Sequence, residues 1–233
     1  GTVRNSHSRK FRQINRFLEF IHDVVDALPT DRTLNVVDFG CGKSYLTFAT
    51  QHLLSHLLQR NCRITGLDRR EDVVATCQKI VTDLQLPGLH FQTGEISGFT
   101  PECPPDLVVS LHACDTATDE ALARGVAAGA RLLVVSPCCH KELRPNLIPP
   151  PMLAPALKHG ILLEREAEFV TDALRAALLE WAGYDTKVFE FVSPEHTAKN
   201  LMISAVKRRQ RSGRDEQAAR VRELASFYGV REQ

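Results

Sequence analysis

The segment Thr33 to Phe48, TLNVVDFGCGKSYLTF, constrains the fold more than any other part of the chain. Its first half, with Leu34, Val36 and Val37, is short, apolar and largely β-branched, the composition of a strand buried on both faces of a parallel sheet. Asp38 closes that run. Gly40 and Gly42 follow, and two glycines so close together let the chain turn sharply while leaving backbone N–H groups uncovered for a ligand at the start of the next helix. Ser44 stands where the N-cap of that helix is expected.

Spacing decides which ligand class such a loop suits. Gly42-Lys43-Ser44 has the ending of a phosphate-binding P-loop, but that motif needs a glycine where Val37 stands. A dinucleotide loop needs a third glycine where Tyr45 stands. What remains is D-x-G-x-G after the first strand and a second strand, Arg63 to Leu67, that ends in Asp68. This pairing resembles the loop and acidic residue of class I S-adenosylmethionine (SAM) methyltransferases. A donor without a pyrophosphate has no need of the third glycine, while its ribose hydroxyls still call for a carboxylate at the end of strand 2. A plain tight turn is the bland alternative, and Asp68 weighs against it.

At 233 residues and 43% hydrophobic content, the chain can bury one full core with appendages, more readily than two equal domains. A formal net charge of +1 says little about partners. No run of about 18 apolar residues exists, so no membrane association is expected. The seven cysteines, odd in number and scattered through strands and helices, suit reduced thiols in the cytoplasm. The first residues are Gly1 and Thr2 with no initiator Met, as in a trimmed product or a fragment of a longer protein.

Strands and helices alternate along the chain. An amphipathic helix from about Arg9 to Leu28 carries Phe11, Ile14, Leu18, Ile21 and Val25 at three- and four-residue steps. After strand 1 come a helix from about Tyr45 to Leu58, strand 2, a helix from about Glu71 to Leu84, and strand 3 from Leu89 to Thr93. Strand 4 spans Leu107 to Leu111, a helix runs from about Asp119 to Ala128, and strand 5 spans Leu132 to Val135. A partly helical segment after Pro151 leads to a helix from about Val170 to Ala182, then to Lys187–Val192 and Asn200–Val206, which can pair as a hairpin. Asp215 to Tyr228 forms a last helix able to dock on the rest. Five β/α units closing in a hairpin give an α/β, Rossmann-like, mostly parallel seven-stranded sheet with helices on both faces and a terminal antiparallel strand. The expected division is an N-terminal helix in 1–30, a catalytic domain in 31–207 and a basic tail with its helix in 208–233.

Ligands of open α/β sheets bind outside the carboxyl ends of the strands, and that rule selects the chemistry. Strand 4 runs into Ser110-Leu111-His112-Ala113-Cys114-Asp115, and strand 5 into Ser136-Pro137-Cys138-Cys139-His140-Lys141-Glu142. The candidate catalytic residues are His112, Cys114, Asp115, Cys138, His140 and Lys141. In one reading they shape a pocket for a nucleophilic nitrogen or oxygen, with His112, Asp115, His140 or Lys141 taking its proton. In a second, Cys114 pairs with Cys138 or Cys139 for covalent attack on a pyrimidine, but the proline-cysteine pair of such enzymes follows strand 4, whereas Pro137-Cys138 follows strand 5. In a third they bind a soft metal, yet these two strand ends hold neither C-x-x-C nor H-x-x-x-H spacing, so no metal is expected. Buried, inert cysteines and a turn-capping His140 are the structural alternative.

Taken together, Asp38 to Phe48, His112 to Asp119 and Ser136 to Leu143 resemble the methyltransferase-domain family that includes the methyltransferase-like 25 group and the ribosomal RNA adenine dimethylase domain-containing proteins. Lys10 to Phe17 and His196 to Leu201 resemble its bacterial members, so the likeness spans about Arg9 to Val206. It implies SAM as cofactor, with Gly40 and Gly42 shaping the loop, Asp38 orienting it and Lys43 or Ser44 near the donor's carboxylate. Asp68 would hold the ribose hydroxyls, and Glu95 or Ile96 would lie beside the adenine. An RNA acceptor, ribosomal or transfer RNA, is the substrate class implied. The tetrad expected after strand 4 of adenine amino-methylating enzymes is replaced by Leu111-His112-Ala113-Cys114, which argues against that reaction.

Basic residues bear on the same question. Lys207 to Arg214 holds five cations and no acid, and Arg4, Arg9, Lys10, Arg12 and Arg16 crowd the other end. Such basic termini suit RNA phosphates, and a solvated tail explains them equally well. A methyltransferase for small molecules or proteins, and a SAM-binding interaction module without catalysis, are the competing readings.

Overall fold

The computed structural model describes residues 8–111, 113–192, 200–209 and 213–230. His112, His196 to Lys199 and Arg211 therefore lie outside the described residues. Seven strands form one sheet: β1 (Leu34–Phe39), β2 (Cys62–Asp68), β3 (Leu89–Thr93), β4 (Leu107–Leu111), β5 (Leu132–Ser136), β6 (Tyr184–Glu190) and β7 (Leu201–Lys207). Their order is β3-β2-β1-β4-β5-β7-β6. The first five pair in parallel, and β7 runs antiparallel to both β5 and β6. The antiparallel strand is last in the chain but sits inside the sheet, with β6 at its edge.

Alternation along the central strands explains why both faces are covered. Leu34 and Val36 of β1, Leu107 and Val109 of β4, and Leu132 and Val134 of β5 point into one apolar cluster, while Val37, Phe39, Val108, Leu133 and Val135 point into the other. The first cluster is capped by α1 (Ser8–Val24), α2 (Tyr45–His52) and α3 (Glu71–Asp83), through Phe17, Ile21, Leu46, Val73 and Cys77. Phe17 is fully buried, edge-on to Phe191 with ring centroids 6.1 Å apart, so α1 belongs to the core rather than to a loose arm. The second cluster is capped by α4 (Thr116–Ala127) and the end of α6 (Gly160–Trp181), through Ala121, Leu122 and Leu179. A third, smaller cluster joins Leu143, Leu147, Val170 and Tyr228, and it docks α7 (Arg214–Phe227) on α6. A short helix, α5 (Ala154–Leu157), leads into α6. Arg32 binds Asp106 through two contacts of 2.6 and 2.7 Å and ties the entry of β1 to that of β4.

Several boundaries differ from the sequence expectation for local reasons. The helix α6 begins at Gly160 rather than near Val170, and its first turns expose Ile161 and Leu162, so no buried apolar stripe marks them in the sequence. The start of α4 is Thr116 rather than Asp119, after an Asp115 held at φ +58°. β6 covers Tyr184–Glu190, and beyond it Phe191 still donates to the Asn200 carbonyl at 3.0 Å while its side chain and that of Val192 pack in the core. The stretch after α2 closes in a π turn over Leu53–Leu57. Among the described residues no helix is long and apolar enough to cross a membrane.

Candidate active site

Hydrogen bonds from the loop after β1 close it onto the end of β2. The N–H groups of Gly40 and Cys41 donate to the Leu67 carbonyl at 2.9 and 3.0 Å. The Gly42 N–H donates to Asp68 Oδ2 at 2.8 Å, and the other carboxylate oxygen accepts from Arg70 N–H at 3.0 Å. Gly40 and Gly42 have φ of +68° and +52°, which only glycine adopts without strain. A Cβ on Gly40 would lie 3.4 Å from that of Ala113, an ordinary contact, so it is the positive φ and not the space that calls for glycine here.

Ser44 stands at the N-cap of α2, as expected, but in a left-handed conformation at φ +57°, and its hydroxyl donates back to the Gly42 carbonyl at 3.1 Å instead of accepting from a helix N–H. Only its carbonyl serves the helix, accepting from Phe48 N–H at 3.0 Å. Asp38 lies fully buried beneath the loop and accepts from Thr47 Oγ1 at 2.6 Å. Burial pushes its carboxyl up to about 7, against the pull of the Thr47 hydrogen bond.

Around this loop, at the carboxyl ends of β1 to β4, is a cleft of about 400 Å³ lined by Gly40, Asp68, Gly94, Glu95, Ile96, Ala113, Cys114 and Glu120. Lys43 is exposed and lies outside that lining. Another cavity, of about 350 Å³, involves Asn35, Arg63 and His90 at the amino ends of the strands, where open sheets do not bind ligands.

Beside the cleft, the ends of β4 and β5 come together. Cys114 Sγ lies 3.2 Å from Cys138 Sγ, which lies 3.7 Å from Cys139 Sγ. Burial and the crowding of the sulfurs push the Cys114 and Cys138 thiols upward, so neither is an activated thiolate in this state. Asp115 is a clamp: its Oδ1 accepts from the N–H groups of Lys141 and Glu142 at 2.9 and 3.1 Å and joins the two loops. The Lys141 side chain is exposed, and it shares with Cys138, Cys139 and His140 a groove of about 600 Å³.

His140 is the buried member of the set. Its Nε2 lies 3.1 Å from Asp172 Oδ2, and among the described residues its Nδ1 has no hydrogen-bond partner. An acceptor-only carboxylate assigns the proton to Nε2, which leaves a lone pair on Nδ1. Asp172 in turn accepts from Arg175 Nη1 at 3.0 Å, and Arg175 binds Asp119 at 2.7 and 2.8 Å and the Asp115 carbonyl at 3.1 Å. Asp119, Asp172 and Arg175 escaped the sequence reading. The only signal was two charged residues three apart on the buried face of α6, next to Val170 and Leu179.

Residues 9–146 match a family model described as "Methyltransferase domain", more than half of the chain. Among curated proteins, a Xenopus laevis protein described as "Glutathione S-transferase C-terminal domain-containing protein" is 26% identical over 132 residues, 57% of this chain and 19% of that protein. A Drosophila pseudoobscura pseudoobscura homolog of the same description is 33% identical over 119 residues, 51% of this chain and 18% of its own length. The chain thus spans about a fifth of the length of the curated relatives it matches. In fold, it is similar to magnesium protoporphyrin IX methyltransferase from Synechocystis with bound SAH, with a TM-score of 0.53, 15% identity, and 89% of this chain and 90% of that one covered. An rRNA methylase from Streptococcus thermophilus gives a TM-score of 0.51 at 12% identity, covering 81% and 94%.

Proposed function

The chain belongs to the methyltransferase-domain family, and from that premise we propose that it is a SAM-dependent methyltransferase acting on RNA. The observation that carries the SAM assignment is the contact between Gly42 N–H and Asp68 at the mouth of a cleft of about 400 Å³, a volume within the usual range of small-molecule sites. Each carboxylate oxygen of Asp68 spends one acceptor position on the backbone and keeps another for a ribose hydroxyl. Glu95 and Ile96 flank the adenine position and Gly40 gives the backbone close approach, while Lys43, outside the cleft lining, would reach the donor's carboxylate only from the solvent side. Ser44 shapes the turn and Asp38 supports it from below.

When bound, SAM supplies an activated sulfonium methyl group, so the protein's main task is to place the acceptor in line with it. The groove of Cys138, Cys139, His140 and Lys141 adjoins the donor cleft at Cys114 and is the acceptor side. The proton that an acceptor nitrogen or oxygen gives up on methylation would pass to water or, relayed through it, to His140 Nδ1, a buried atom with a free lone pair. Asp172 and Arg175 hold the ring in position, and Asp115 holds the two loops.

The RNA assignment draws on Lys141 and Arg165 around the two grooves at this end of the molecule, where Arg144 is paired with Glu164 at 3.1 Å. The basic run after β7 contributes less. Arg208 binds Asp185 at 2.6 Å, Lys207 donates to the Gly129 carbonyl at 3.2 Å, and Arg214 stacks over Trp181. Methyl-labelled SAM incubated with cell extract, followed by RNase or protease, tests the reading. RNase-sensitive label supports it, protease-sensitive or small-molecule label replaces the acceptor, and SAM binding with no transfer to any fraction leaves an interaction module.

A further inference from the structure

We propose that Cys114, Cys138 and Cys139 form a three-sulfur binding site for one soft d10 cation of the zinc class, at the partition between the donor cleft and the neighbouring groove. Among the described residues these three are the group whose ligand atoms all lie within 4.8 Å of one another, and no disulfide links them. Sulfurs at two corners of a tetrahedron with metal–sulfur bonds of about 2.3 Å sit about 3.8 Å apart. The observed separations of 3.2 and 3.7 Å are within a side-chain adjustment of that figure.

Neighbouring residues of a strand point to opposite faces, which makes a Cys-Cys pair a poor chelate in regular structure. Here β5 ends at Ser136, Pro137 breaks the ladder, and the irregular backbone after it turns both sulfurs the same way. The scaffold is also fixed in advance. Asp115, next to Cys114, bonds the N–H groups of Lys141 and Glu142, so the two loops that carry the sulfurs are tied to each other whether or not an ion is bound. Such preorganisation is what a bound ion needs from its surroundings.

Three thiolates select a soft ion over magnesium or calcium, which take oxygen ligands. Three protein ligands leave a fourth position open, the pattern of reactive rather than purely structural zinc sites. Because Cys114 lines the donor cleft while Cys138 and Cys139 line the groove, an ion here would stand between the two compartments. The inference rests on the sulfur geometry alone and does not depend on the methyltransferase reading.

The test is metal analysis of the whole chain, purified under reductant, incubated with zinc and freed of loose metal by gel filtration. About one equivalent of zinc per chain is expected, with Co²⁺ giving a thiolate-to-cobalt charge-transfer band. Cys138→Ser should lose both, and Cys114→Ser, at the more exposed position, serves as a second variant should Cys138→Ser unfold. Cys103→Ser, away from the cluster, should keep both. Less than about a tenth of an equivalent with no cobalt band overturns the site. So does metal content that survives Cys138→Ser and Cys114→Ser, or a Cys114–Cys138 disulfide found by mass spectrometry in the metal-free reduced preparation. A chain that binds zinc but transfers no methyl group would sustain this site while removing the enzymatic reading.

Discussion

Gly42 and Asp68 lie 26 residues apart in sequence and meet across a 2.8 Å hydrogen bond that joins the glycine loop to the acidic end of β2. The same carboxylate binds Arg70 N–H, so one side chain organises both the loop and the start of α3. Asp68→Ala should weaken SAM binding by about tenfold or more, since a hydrogen bond to a charged group contributes about 1.5–3 kcal/mol. Titration calorimetry reads it directly, and an unchanged dissociation constant would remove Asp68 from the ribose site.

Gly40→Ala tests the backbone of the same loop. The residue sits at φ +68°, while the added methyl would meet the Ala113 side chain at an ordinary contact of 3.4 Å, so the dihedral is what the variant strains. Strain of about 1 kcal/mol is expected from the dihedral alone, with a fall in melting temperature of a few degrees. A variant as stable as the parent would mean that the turn relaxes freely.

Asp38 links the loop to pH. Its carboxyl is raised from 3.8 to about 7 by burial, so the folded state holds a proton that the unfolded chain releases. The stabilisation from that proton is complete below pH about 3.8 and is lost as pH rises through about 7. Asp38→Asn keeps an acceptor for Thr47 and should flatten this part of the stability profile between pH 4 and 8, measured by urea unfolding. A wild-type slope that persists in the variant would assign the pH dependence elsewhere.

Arg175 sits at the centre of a buried charge network with Asp119, Asp172 and the Asp115 carbonyl. Removing one partner of such a set strands the others, and Arg175→Leu should cost about 3–5 kcal/mol. Asp119→Asn, whose side chain is half exposed, should cost far less. Chemical denaturation of both variants ranks them, and equal losses would show that the network is not organised around Arg175.

Asp172→Asn tests the support of His140, and because Asp172 also pairs with Arg175, the variant's stability is measured beside its activity. The variant keeps the shape of the side chain and loses the charge that fixes the ring 3.1 Å away. Methyl transfer at saturating SAM should fall by about tenfold or more, with SAM affinity unchanged. A loss confined to SAM binding would move Asp172 out of the acceptor side.

What the sequence determined by itself was the set of elements and the glycine loop after β1. Strand alternation, helical stripes and glycine pairs are properties of neighbouring residues, and β3 and β4 fall where the apolar runs place them. The tertiary structure decided what depends on strand order and on side-chain direction. Ser44 turned its hydroxyl to Gly42 because a left-handed residue cannot also present its side chain as a cap. Cys114 meets Cys138 because β4 and β5 pair in parallel, and His140 meets Asp172 because α6 packs on β6 and β7 with Asp172 turned to the loop after β5. Such meetings join positions 24 and 32 residues apart, beyond the reach of any local periodicity, and they are fixed by packing the two faces of one sheet.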